Sequence, residues 1–164
     1  MGSSKWNPDT RKAIRCAIRK IPVEADPEER VRQNLLCYMM GSLGYPQSLI
    51  VVEKELKHIP HLALHDQEIP ERRADIICFG KGIHPEHELY PLLLIECKAV
   101  KLTPKVVNQV AGYNHFLKSY FIAVANKDEI QTGWYDAPSK KYQFVSYLPV
   151  YKDLMLAAKK GLNK

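Results

Sequence analysis

The stretch Leu92-Leu93-Leu94-Ile95-Glu96-Cys97-Lys98 constrains this chain more than any other. Four aliphatic residues in succession read as a strand, and side chains alternate along a strand. Glu96 and Lys98 therefore share one face, while Cys97 turns to the other as a core thiol. Charged groups are rarely placed at the end of so apolar a strand unless they pair or hold a metal.

The neighbouring segments say where that strand belongs. Ala74 to Phe79 reads as a second strand, and the connection from Gly80 to Pro91 is short enough to make the two an antiparallel hairpin. Asp75 is thereby brought towards Glu96. Thr103-Pro104 opens a helix carrying Val106, Val107, Val110, Phe116 and Leu117, and Tyr120 to Ala125 follows as a buried strand. A strand-helix-strand crossover makes that strand parallel to Leu92–Lys98. Upstream, Asp26 caps a helix that begins with Pro27, Glu28 and Glu29, carries Val31, Leu35, Leu36 and Met39 as its apolar stripe, and closes at Gly41 and Gly44. Leu49 to Leu56 suggests a strand interrupted by Glu53 and Glu55. Gly133–Asp136 and Gln143–Leu148 look like a peripheral pair, and Leu154–Ala158 belong to a closing helix. Ala13, Ile14, Ala17 and Ile18 at helical spacing predict a basic amphipathic helix over Asn7–Lys20.

These elements predict an α/β fold, a three-layer domain whose central mixed β-sheet is flanked by helices. Residues 1–24 are expected to form a basic helical extension, 25–148 the domain proper, and 149–164 a C-terminal helix packed on it. At 164 residues one domain is expected. A content of 46% hydrophobic and 26% charged residues excludes a largely disordered chain. No apolar run approaches the roughly 18–20 residues of a membrane helix. Met1–Asn7 lacks the apolar stretch of a secretory signal, and Cys16, Cys37, Cys78 and Cys97 are scattered, so a reducing cytoplasm is expected. Lys and Arg total 24 against 18 Asp and Glu, a net charge of +6 that favours polyanionic partners such as nucleic acid. No phosphate-cradling G-x-x-x-x-G-K-[ST] run is present, which excludes a built-in NTP motor.

Two carboxylates brought together repel one another, and a divalent cation removes that cost. Oxygen ligands select a hard ion such as Mg²⁺. A lysine beside the pair can orient water and stabilise charge on a phosphate, as metal-assisted phosphodiester hydrolysis requires. The same spacing also suits a structural ion pair of Lys98 with Glu96 or Asp75.

Asp75, twenty intervening residues and then Glu96-Cys97-Lys98 resemble the D…(D/E)-x-K signature of the PD-(D/E)xK nuclease superfamily. A longer ordered set is more specific: Pro27-Glu28-Glu29-Arg30-Val31-Arg32-Gln33, Leu43-Gly44-Tyr45-Pro46, Arg73-Ala74-Asp75-Ile76, Leu93 through Ala99, and Gln109 through Tyr113-Asn114. Together these resemble the N-terminal nuclease domain of type I restriction enzyme restriction subunits, from Pro27 to about Asp136, roughly two-thirds of the chain. Ala74 stands where the superfamily name has proline, a change the resembling branch shares.

The resemblance implies a Mg²⁺-dependent endodeoxyribonuclease, with Mn²⁺ as a substitute. It makes Asp75 and Glu96 metal ligands together with the Cys97 backbone carbonyl, and Lys98 the catalytic lysine. An acidic residue on the preceding helix completes such sites. Glu28 shares the helix face of Arg32 and is the choice here, with Glu29 close behind. Gln109 and Tyr113, four apart on one helix, look like the Q-x-x-x-Y element of related nucleases, and Gln109 would orient a phosphate. Arg72, Arg73 and Tyr113 are candidates for DNA contact. Restriction subunits carry this domain fused to a translocating motor, so the chain is expected to act alone, as a homodimer, or with a separate specificity or motor subunit. The competing reading is a catalytically silent nucleic-acid- or protein-binding module of the same fold. His58, His61 and His65 read as a solvated loop rather than a zinc site.

Overall fold

The computed structural model describes residues 13–59 and 72–162. Its elements run β1 (Ala13–Arg15), β2 (Pro22–Glu24), α1 (Pro27–Ser42), β3 (Ile50–Glu55), β4 (Arg73–Lys81), β5 (Leu89–Cys97), α2 (Pro104–Leu117), β6 (Phe121–Ala125), β7 (Ile130–Asp136), β8 (Lys141–Val145) and α3 (Tyr151–Leu162). Strands β3 to β8 lie side by side in sequence order as a six-stranded sheet. Strand β5 pairs with β6 in parallel, from Leu93↔Phe121 to Cys97↔Ala125, and the other pairings are antiparallel. The sheet is therefore mixed, with α2 as the crossover and β4–β5 as the expected hairpin.

Alternation on the central strands sorts the core into two layers. Ile76, Cys78, Leu93 and Ile95 pack with Val31, Leu36 and Met39 of α1 and with Leu154 and Ala158 of α3. Ile77, Leu94, Ile122 and Val124 pack on the other side with Val110 and Leu117 of α2. Each of these large side chains contributes about 1.5–3 kcal/mol by leaving water, so both helix layers are strongly attached. The result is the predicted three-layer α/β architecture.

Local signals place the helices. Asp26 Oδ1 accepts the Glu29 N–H at 2.8 Å and Thr103 Oγ1 that of Val106 at 3.4 Å, each cap followed by a proline in the first turn. After α1, Gly44 takes φ +73°, which lets the Tyr45 N–H return to the Met39 carbonyl. The Tyr45 hydroxyl donates to the Pro149 carbonyl, and the Tyr151 N–H to that of Leu43. Those bonds seat α3 against the end of α1.

The basic helix expected over Asn7–Lys20 is corrected by the structure. Residues 7–12 lie outside the described residues, and Ala13–Glu24 forms a small hairpin in which Ile14 pairs with Val23. The Cys16 carbonyl accepts the Lys20 N–H, Cys16 N–H donates to Ile21, and Lys20 turns at φ +58°. Ile14, Cys16 and Ile18 also alternate with period two, so the segment fits either pattern, and Pro22 blocks helix continuation. Burial decides: Cys16 is enclosed, and Ala17, Ile18 and Val23 pack on the core. His61 and His65 lie outside the described residues, whereas His58 closes a short 3-10 turn, Leu56–His58. Among the described residues no helix is long and apolar enough to cross a membrane.

Candidate active site

The sheet register assembles a row of acids. Strands β3 and β4 pair Val52 with Ile76 and Lys54 with Ala74, leaving Glu53 opposite Asp75. Strands β4 and β5 pair Ile76 with Ile95, and one further step along that register sets Asp75 beside Glu96. Asp75 Oδ2 accepts the backbone N–H of Cys97 at 2.8 Å, which ties the carboxylate to β5. Glu96 is only 4% exposed. Burial, followed by the charge and hydrogen bond of Asp75, pushes its pKa well above the ordinary carboxylate range, against the smaller opposing pull of Lys98 and Arg72. The pair therefore favours holding a proton or a cation between its oxygens.

A second layer lies behind Asp75. Arg32, 6% exposed, comes from α1 and reaches carboxylates on three elements. Its Nη2 contacts Glu29 Oε2 and Glu53 Oε1, the latter at 2.9 Å, and its Nη1 lies 3.4 Å from Asp75 Oδ1. Gln33 Nε2 donates to Glu29 Oε1 at 2.9 Å, and Arg19, from the turn of the β1–β2 hairpin, donates to Glu53 Oε2 at 3.0 Å. Burial raises the Glu53 pKa, but hydrogen bonding to Arg32 and the charges of Arg32 and Arg19 outweigh it and hold this carboxyl below its usual range. Glu53 also has a backbone φ of +48° inside a strand.

The face assignment made for Glu28 from its spacing to Arg32 differs from what the helix does. Glu28 is exposed, while Glu29 is buried at 3% and bonded to Arg32 and Gln33. The reason lies in the capping turn: α1 begins at Pro27 and docks the stripe of Val31, Leu36 and Met39 on the sheet, which carries Glu29, Arg32 and Gln33 inward as well.

Lys98 follows the last residue of β5, with its backbone N–H on the Ala125 carbonyl at 2.8 Å and its side chain partly exposed near Glu96. Cys97 is buried in the layer shared with α1, and burial pushes its thiol far up, as befits a core thiol. Tyr113 of α2 is half-buried, its hydroxyl enclosed without a hydrogen-bond partner, and the Arg72 guanidinium stacks 3.5 Å over its ring. Arg72, Arg73, Tyr113 and Glu96 line one narrow cleft with Leu56 and Leu94. Arg73 is exposed and 3.5 Å from Glu55. Gln109 is exposed on α2, one turn before Tyr113. Asp75, Glu96 and Lys98 thus meet at one end of the sheet, with Tyr113 and Arg72 beside Glu96; Gln109 is exposed on α2, and Glu28, though exposed, is near enough for its charge to act on the Cys97 thiol.

Among the described residues no three His, Cys, Asp or Glu side chains form a ready metal cage. The donor set nevertheless suits Mg²⁺, which is bound through one or two carboxylates with substrate phosphates and water completing its shell. The adjoining carboxyl groups of Asp75 and Glu96 fit that requirement. Sequence reading missed Arg32, Glu53 and Arg19. Two signals pointed to them: a charge inside the α1 apolar stripe, and an acid breaking the run Ile50-Val51-Val52.

No curated protein and no solved structure matches this chain. The family described as type I restriction enzyme R protein N terminus matches residues 27–149, from the first residue of α1 to the threshold of α3 and including every carboxylate of the acid row. A match over three-quarters of the chain places this protein in the family of type I restriction enzyme R protein N-terminal regions.

Proposed function

We propose that the chain is a divalent-metal-dependent nuclease that hydrolyses phosphodiester bonds in DNA. The adjoining carboxyl groups of Asp75 and Glu96, with Lys98 next to them, carry this reading. Asp75, Glu96 and the Cys97 backbone carbonyl would hold Mg²⁺, or Mn²⁺ in its place. The ion supplies positive charge to the scissile phosphate and lowers the pKa of water.

The chain's own residues do the rest. The backbone N–H of Cys97 fixes one oxygen of Asp75, so the carboxylate keeps one orientation. Lys98 orients the attacking water and offsets negative charge that develops on the phosphate. Arg72, Arg73 and Lys57 border an exposed cleft with Glu55 where a DNA backbone can lie. Tyr113 backs Arg72, and Gln109, exposed one turn before Tyr113, would meet a phosphate further along. Glu29, rather than Glu28, supports the site by anchoring Arg32. DNA is the substrate in this reading, the cytoplasm its setting, and a second copy or a separate specificity or motor subunit its partner.

The test is nicking of supercoiled plasmid by the full chain. Activity with Mg²⁺ or Mn²⁺ that stops on adding EDTA, and is lost in Asp75→Asn, is the expected result. Full-length, folded protein that binds DNA but neither takes up metal nor cuts would overturn it in favour of a silent binding module.

A further inference from the structure

The contacts of Arg32 are unequal. Glu29 and Glu53 hold its guanidinium closely, the latter at 2.9 Å, while Asp75 Oδ1 stands off at 3.4 Å. Both oxygens of Glu53 are taken by guanidinium groups, Oε1 by Arg32 and Oε2 by Arg19. The Arg32 Nε is buried and has no hydrogen-bond partner. A buried guanidinium normally satisfies its donors, so this one is held by its anchors rather than by an optimal fit of its own.

Glu53 contributes a second observation. Its φ of +48° lies in the left-handed region, where a residue with a side chain is strained, and the ladder pairs on either side of it keep their register. Such strain persists only where the surroundings hold it, and it concentrates at functional positions. Among the described residues, the groups that grip the Glu53 carboxylate are the guanidinium groups of Arg19 and Arg32, and the latter ends on Asp75.

We propose that Glu53 and Arg32 are positioning residues that set how tightly Asp75 and Glu96 hold a divalent cation. This rests on the metal-dependent reading above. Arg32 is a cation within reach of Asp75 and competes with a metal ion for Oδ1. Glu53 and Glu29 draw it back, leaving the contact long enough for the ion to displace while the guanidinium still steadies the carboxylate. Removing the Glu53 charge frees Arg32 to close on Asp75. Groups that orient a ligand from behind commonly change metal affinity by about 10–100-fold when altered.

The experiment is titration of the full chain with Mn²⁺, followed by electron paramagnetic resonance of the free ion, with thermal melting as a check on folding. Glu53→Gln keeps the shape and removes the charge. Glu53→Gly also removes the φ strain, so it stays folded if strain relief is what the backbone needs. Both are expected to weaken Mn²⁺ binding by roughly tenfold or more. Arg32→Lys keeps a charge within reach of Asp75 that Glu29 and Glu53 can no longer both hold back, so it is free to close on Asp75 and is expected to weaken binding likewise. Glu86→Gln removes the same charge from the exposed connection between β4 and β5 and should leave affinity within about twofold, as an exposed charge would. Wild-type affinity in the Glu53 variants, or an equal loss in Glu86→Gln, overturns the proposal. Wild-type protein that takes up no Mn²⁺ overturns the metal-dependent reading and this one with it, a result told apart by its independence of Glu53.

Discussion

Asp75 Oδ2 accepts the backbone N–H of Cys97, the residue between Glu96 and Lys98, at 2.8 Å. One bond thus couples the carboxylate of β4 to the backbone of the strand bearing the other site residues. Replacing Asp75 by Asn keeps the shape and permits a hydrogen bond from Cys97 to the amide oxygen, but removes the charge. Metal binding and cleavage should both disappear while the melting temperature stays near wild type. Calorimetry with Mn²⁺ beside a plasmid-nicking rate checks this, and retention of cleavage would reassign the metal site.

Glu96 predicts a pH dependence of stability. Its pKa is raised by burial and by Asp75, so the folded chain binds a proton more readily than the unfolded one. Stability without metal should then fall as pH rises from the ordinary value of 4.5 towards the raised one, and level off above it. Glu96→Gln removes the penalty. The variant should melt at higher temperature than wild type at neutral pH, and the difference should vanish in acid or shrink when Mg²⁺ is added. Melting curves across pH decide it, and a variant less stable than wild type at neutral pH counts against the raised value.

The central part of this structure was legible because local and long-range signals agreed. Ile76 to Phe79 and Leu92 to Ile95 are apolar on both faces, their connection is short, and Thr103-Pro104 marks the crossover helix, so the neighbourhood of Asp75 and Glu96 followed from chain order alone. The β1–β2 hairpin was not legible, because Ile14, Cys16 and Ile18 satisfy two periodicities and only packing on the core chooses between them. The second layer of the site was hidden for a different reason. Arg32 and Glu29 are charged residues that sequence places on the surface by default, and they are buried only because they pair with each other and Arg32 also with the half-buried Glu53. A preference between Glu28 and Glu29 turns on about 100° of helix rotation, which the docking of α1 sets.

DNA binding should be electrostatic. Arg72, Arg73 and Lys57 flank the cleft beside the site, and contacts to phosphates release counterions, so affinity should fall steeply between low and physiological salt. Arg72→Ala should weaken binding and flatten the salt slope by roughly one phosphate contact. Loss of the Arg72–Tyr113 stacking gives a second readout, because the ring then becomes more accessible to solvent. Fluorescence anisotropy with labelled duplex at several salt concentrations measures the slope. A flat slope in wild type would assign the basic surface another use.

Lys98 separates chemistry from metal binding. It follows β5, whose buried Leu92, Leu94 and Ile95 hold the strand without help from its charge, and its side chain is partly exposed. Lys98→Ala should therefore leave melting and Mn²⁺ affinity close to wild type. In the proposed mechanism its ammonium orients water and meets charge developing on the phosphate, and losing such a positioned group costs roughly 10²–10⁴-fold in rate. Lys98→Arg keeps the positive charge but spreads it over a planar fork that is not matched to a single water, so it should recover DNA binding more than rate. Single-turnover nicking at saturating protein and metal isolates the chemical step from both kinds of binding. A Lys98→Ala protein that binds Mn²⁺ and DNA as wild type does and cuts at the wild-type rate would remove Lys98 from the chemistry and leave water activation to the metal and its carboxylates.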